Sequence, residues 1–222
     1  MKKNIGILLL ALSLTASIPT AAYAANPTNE KTQNYAAPIE EKEDSLRSIR
    51  SELAKSGATL TLISEDEYYA EKAKLTNESI ETVKNRDKLR DSLSLRASDP
   101  YTYGTISRTE TLVDGKGAKC QIRYGFKAKF YSSGSFHEYK EILDKGFVIA
   151  SGSGDFDWEP AGDIYMQIIN NGWNVRFMAS GVVKATVDST LSAGFEAAGF
   201  SLGGTSGTSR VYRNYYDIHH NF

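Results

Sequence analysis

A single cysteine, Cys120, stands in the whole 222-residue chain, so no intramolecular disulfide can form. Histidine is nearly as scarce. A catalytic zinc needs three convergent ligands, and only His137, His219 and His220 exist; on a strand the last two would point to opposite faces. Charge of either sign is not in excess, because 26 basic residues offset 27 acidic ones for a net charge of -1. Nucleic acid and anionic membranes both reward a clear cationic surplus, so neither is expected as a general partner. Past the first two dozen residues no apolar run approaches the roughly 18 residues of a bilayer span, so no stable membrane anchor is expected. Also missing are a Gly-x-Ser-x-Gly elbow, a phosphate loop and a dinucleotide fingerprint, and no cofactor is implied. Catalysis is left without a recognisable set of residues.

The N-terminus reads as an address. Met1-Lys2-Lys3 supplies positive charge, Ile5 to Ala16 an apolar stretch, and Ala22-Tyr23-Ala24 the small residues that a signal peptidase reads. Residues 1–24 are therefore expected to be a bacterial-type signal peptide, and the protein to be secreted. Residues 25–39 are polar and Pro-containing and read as a flexible tether.

Residues 40–98 carry helical periodicity. Leu46, Ile49 and Leu53 form one thin apolar stripe that stops at Gly57, and Ala58 to Ile63 reads as a short extended piece. Ser64 followed by Glu67 is a capping-box pattern opening a second helix, and a third is expected from about Asn77 to Leu95. Stripes this narrow cannot form a core alone. The region is expected either to serve as a propeptide or stalk or to pack on the remainder as a helical layer.

Beyond Asp99-Pro100 the composition changes. Only four of the 24 aromatic residues precede Tyr101, which places the core in residues 99–222. The organising stretch is Lys119 to Phe130. Cys120, Ile122, Tyr124, Phe126, Ala128 and Phe130 share one parity, and Lys119, Gln121, Arg123, Gly125, Lys127 and Lys129 share the other. A strand turns alternate residues to opposite faces, so this is one long strand with an oily and a cationic side. Tyr103 to Leu112 with Asp114-Gly115 reads as its hairpin partner. Phe136 to Leu143 is ambiguous between strand and helical turn, and Phe147 to Trp158 looks extended but broken at Ser151 to Gly154. Asn171-Gly172 reads as a two-residue type I′ turn that pairs Ile168 with Val175, Met166 with Phe177 and Ile164 with Ala179. Val183 to Ala197 alternates again, Gly203 to Ser209 reads as a loop, and Arg210 to Ile218 as a last strand. The expected class is mainly β: an antiparallel β-sandwich or small barrel of six to eight strands, preceded by a short α-helical region.

The densest polar constellation is Asp155, Asp157, Trp158 and Glu159. Calcium is disfavoured because Pro160 takes the place where a calcium loop needs glycine. Two readings remain: a strand with Phe156 and Trp158 inward and its acids opposite the Lys119 to Lys129 cations, or a ligand-binding patch in which Trp158 stacks on a sugar ring. The expected role is non-catalytic binding outside the membrane, with a glycan, cell-wall or protein ligand. The alternatives are a membrane-active, bacteriocin-like toxin using Val183 to Ala197 as an inserting strand, and a hydrolase without a recognisable motif. Mass spectrometry of the exported product decides the fate of the helical region: an N-terminus near Ala97 means that it is removed, and one at Ala25 that it is retained.

Overall fold

In the computed structural model the described residues are 39–92, 101–115, 117–133, 136–143 and 145–222. The expected leader and tether, and the expected domain limit near 97–100, lie outside them.

Two five-stranded antiparallel sheets face each other. The architecture is a sandwich; the sheets do not join into a barrel. Sheet A is built on the ribbon of β2 (Tyr101–Gly115) and β3 (Ala118–Ser133), and sheet B on the ribbon of β8 (Asn174–Asp188) and β10 (Ser209–Asn221). Each ribbon is too long for one ordinary neighbour, so two short strands lie end to end along its edge. Along β3 these are β5 (Phe147–Gly152) and β4 (Phe136–Ile142), and along β8 they are β6 (Asp155–Pro160) and β7 (Tyr165–Ile169). β1 (Ala58–Leu62) extends sheet A beyond β2, and β9 (Ser201–Ser206) extends sheet B beyond β10.

The alternation of β3 decides which face is which. Cys120, Ile122, Tyr124, Phe126, Ala128 and Phe130 are all buried between the sheets, against Val175, Phe177, Val183 and Ala185 of β8. Burial pushes the Cys120 thiol up to about 11, consistent with a small core hydrophobe. The opposite, cationic face is covered by helices at its Lys127–Lys129 end, while Lys119 and Arg123 are exposed. The layer consists of α2 (Glu65–Thr76), capped by Ser64 Oγ accepting from Glu67 N at 3.0 Å, and α3 (Ile80–Ser92). Lys127 pairs with Glu67 at 3.1 Å and with Glu71, and the buried Lys129 pairs with Asp91 at 2.5 Å while lying over the Tyr101 ring. Lys72 of α2 joins Asp87 of α3 at 2.6 Å and Glu141 of β4 at 2.5 Å. Tyr68 and Tyr69 pack on Tyr103 beneath the same layer.

The remaining helix, α1 (Ile39–Lys55), sends its stripe of Leu46, Ile49 and Leu53 into the main core. Gly57 ends it in the left-handed region, and β1 follows at once. The 39–92 segment is thus one strand of sheet A, one plug of the core and one layer over the lysine face.

Several expectations are corrected. The Asp114-Gly115 hairpin exists, but Asp114 and Gly115 pair with Lys119 and Ala118 and so belong to the strands, with Gly117 in the turn. Ile168, Met166 and Val175, Phe177 pair as expected, yet the loop spans four residues, because Asn170, Asn171 and Gly172 all adopt positive φ and form a turn of 3-10 helix. Ile164 precedes β7. The Val183 to Ala197 alternation is not one strand: β8 stops at Asp188, whose carboxylate caps the following turn, and Ser192–Ala197 is the short helix α4. α4 buries Phe195 against Phe200 and Tyr212, which explains why its spacing imitates a strand. The inserting strand of the toxin reading loses its second half. Gly203 to Ser209 is not a loop, since β9 runs through Ser206, and nine strands lie beyond Tyr101 where six to eight were expected.

Burying Leu46, Ile49 and Leu53 stabilises the fold by roughly 5 kcal/mol. A fragment of residues 97–222 should therefore melt at least about 10 °C below the chain that retains 39–92, by calorimetry. Equal melting temperatures would show the layer to be dispensable.

Candidate functional site

The sequence-derived residues are placed on β6, and β6 belongs to sheet B. Its neighbour is β8, not β3, so the acids are not opposite Lys119, Arg123, Lys127 and Lys129. The chain changes sheets between β5 and β6 at Ser153-Gly154, and this change separates the two rows. Asp155 lies opposite Thr186, Asp157 opposite Lys184 and Glu159 opposite Val182. Glu159 is 3.7 Å from Lys184 and 3.6 Å from Arg213. Trp158 turns the other way. It is half-buried against the main core and covers Gly181, where a Cβ would lie 2.4 Å from the indole. The three acids therefore share the outer face of sheet B, and Trp158 is not with them.

That outer face is a continuous array. Reading across β7 or β6, then β8, then β10, its rows are Gln167, Arg176, Asn221; Tyr165, Met178, His219; Glu159, Val182, Tyr215; and Asp157, Lys184, Arg213. Between the second and third rows Ser180 donates to Asp217 at 2.5 Å, which holds the Asp217 carboxyl below its ordinary range. Tyr165 and Tyr215 are 50 % and 57 % exposed. A shallow hollow of about 330 Å³ opens beside Arg176, Met178, His219 and Asn221. No helix is packed on this face among the described residues, in contrast to sheet A. Tyr215 and His219 escaped sequence reasoning because their parity was legible only once the inner parity of β10, Tyr212, Tyr216 and Ile218, was known.

A second polar constellation sits between the sheets. Arg108 and Glu110 occupy the inner face of β2, where an aliphatic pair would be expected. Tyr124 donates to Glu110 Oε1 at 2.6 Å, Tyr216 of β10 donates to Oε2, and Arg108 Nε reaches Oε1 at 2.9 Å. Arg108 also donates to Ser56 O at 2.6 Å and approaches His220 Nδ1 at 3.3 Å. Burial by itself would raise the Glu110 carboxyl, but the hydrogen bonds from the two tyrosines and the Arg108 charge outweigh it and hold it below the usual range. Burial, seconded by the Glu110 hydrogen bond, pushes Tyr216 up to about 12. Both Glu110 oxygens are engaged and the tyrosines stay protonated, so the group ties sheet A to sheet B.

The three histidines stay apart. His137 is on β4, and His219 and His220 project from opposite faces of β10. Among the described residues no cluster of three His, Cys, Asp or Glu side chains is positioned to hold a metal ion. No protein-family model matches the chain, and no curated protein or solved structure is significantly similar to it.

The inter-sheet group has a pH signature. Burial, and secondarily the Arg108 charge, lower the His220 pKa from 6.5. A depressed folded-state pKa means that this contribution is complete above about 6.5 and is lost as pH falls through the folded value; the Glu110 contribution follows below about 4.5. Between pH 7 and 5 the melting temperature of the wild type should fall more steeply than that of His220→Gln. Parallel slopes would remove His220 as the cause.

Proposed function

We propose that the protein acts outside the cytoplasmic membrane as a non-catalytic binding protein, and that the outer face of sheet B engages a protein partner. The observation that carries this reading is the uncovered, nearly flat array bearing Tyr165, His219 and Tyr215 among balanced charges. With strands about 4.8 Å apart and side-chain rows about 7 Å apart, three to four strands and five to six rows cover roughly 500 to 800 Å². That approaches the roughly 800 Å² per partner of a stable interface. Tyrosine and arginine are the residues over-represented at the centre of such surfaces. Asp155, Asp157 and Glu159 supply a polar rim beside Lys184 and Arg213. Export follows from the N-terminal leader pattern of Met1 to Ala24.

Photo-crosslinking from position 215 on intact producing cells should yield one discrete adduct, absent when the probe is placed at Lys88 on the exposed side of α3. The double variant Tyr165→Ala/Tyr215→Ala should fold normally and bind the crosslinked species at least about tenfold more weakly. Indiscriminate adducts from both positions, or unchanged binding by the double variant, would refute the assignment.

A further inference from the structure

The sequence carries a second exposed aromatic that the sheet-B face does not use. Trp173 stands at the end of the β7–β8 loop and is 39 % exposed. The loop is pressed onto β4: Gly172 adopts φ +93°, and a Cβ there would lie 2.4 Å from Glu138 Cγ. Asn170 donates to Asn174 at 2.8 Å, Asn174 donates to Phe222 O at 3.2 Å, and Val175 N donates to the same oxygen at 3.1 Å. These bonds hold the loop and the last residues of the chain together, and they set Trp173 beside His137 with ring centroids 5.2 Å apart at 68°. The indole is therefore prepositioned.

Trp173 and His137 form one side of a cleft of about 330 Å³, and Glu52 and Lys55 from the last turn of α1 form the other, with Asn221 and Phe222 between. The volume is at the lower end of the range for small-molecule sites. His137 is 6 % exposed, and its Nδ1 is buried with no hydrogen-bond partner. The nearest carboxylate oxygen, Glu52 Oε2, is 3.6 Å away, beyond hydrogen-bond reach. A buried ring nitrogen without a partner is costly, and the group that would satisfy both atoms is one able to donate to Glu52 and pair with His137 together. A hydroxyl does both.

We propose that this cleft binds a pyranose unit of a glycan, with one apolar face of the sugar ring on the Trp173 indole and a ring hydroxyl shared by Glu52 and His137. The alternatives fit the lining less well. A phosphate or carboxylate would meet Glu52, and a wholly apolar ligand would desolvate Glu52 and Lys55 while leaving His137 Nδ1 without a partner. A polyhydroxylated ring offers an apolar face and a polar edge in one ligand. The site meets the sheet-B face only at Asn221 and uses none of Tyr165, His219 and Tyr215, so it stands independently of the protein partner inferred there.

The test uses the mature chain and its two indole N–H resonances. Trp158, packed over Gly181, serves as the internal control for Trp173. Glucose, N-acetylglucosamine and N-acetylglucosamine tetramer are titrated to about 10 mM. The expected result is a saturable shift of the Trp173 resonance with at least one saccharide and none at Trp158, weakened at least about tenfold in Glu52→Gln and in His137→Asn. Trp173→Ala should keep the same far-ultraviolet circular dichroism and show no heat of binding. An unmoved Trp173 resonance with all three sugars, equal shifts at both indoles, or undiminished binding by Trp173→Ala would each overturn the proposal.

Discussion

β3 must satisfy two unlike surroundings at once. Its inner side chains need a facing sheet, and its outer lysines need acids, because neither an oily row nor a buried ammonium is tolerable unpartnered. Sheet B answers the first demand with Val175, Phe177, Val183 and Ala185. The helical layer answers the second with Glu67, Glu71 and Asp91. Because a shift of one residue would exchange the two rows, the register of β3 settles which sheet lies inside and which face carries helices.

The asymmetry between the sheets follows from that division. Sheet A is covered on its inner face and, at the Lys127–Lys129 end, on its outer face, and it is extended at β2 by β1 from the helical segment. Among the described residues sheet B carries no helices on its outer face. Its outer rows mix acids, bases and tyrosines without the uniform charge that makes β3 a platform for an acidic layer. The Glu110 group completes the arrangement: a carboxylate from sheet A receives a tyrosine from sheet B, and Arg108 links the pair to Ser56 just after α1. The interior at that point is polar, and its directional bonds to Glu110 fix the lateral position of the sheets more firmly than interchangeable aliphatic contacts would.

Both surfaces proposed for recognition arise where this covering stops. The sheet-B face is what remains when the helices have gone to the other side. The Trp173 cleft is the gap between α1, β4 and the β7–β8 loop, and the loop itself is held by the backbone of Phe222. Neither surface depends on a catalytic group; each depends on aromatic side chains held by hydrogen-bonded backbone.

Wherever neighbours along the chain carry the information, the sequence was sufficient: the period-two rhythm of β3, the Ser64 cap, the stop at Gly57 and the pairing of Met166 with Phe177 are all local. It misread Leu191, Ala193 and Phe195 as one face of a strand: Leu191 precedes α4, Ala193 is exposed on it, and only Phe195 is fully buried. It could not show that β5 and β6, two residues apart, belong to different sheets; that choice is made by contacts with β3 and β8. Nor could it bring Glu110 to Tyr216, or Trp173 to His137 and Glu52, because those pairs are separated along the chain and meet only when two sheets and a helix close on one core. Tertiary structure alone decided which polar residues face one another, because alternation assigns a side chain to a face but leaves open what that face will meet.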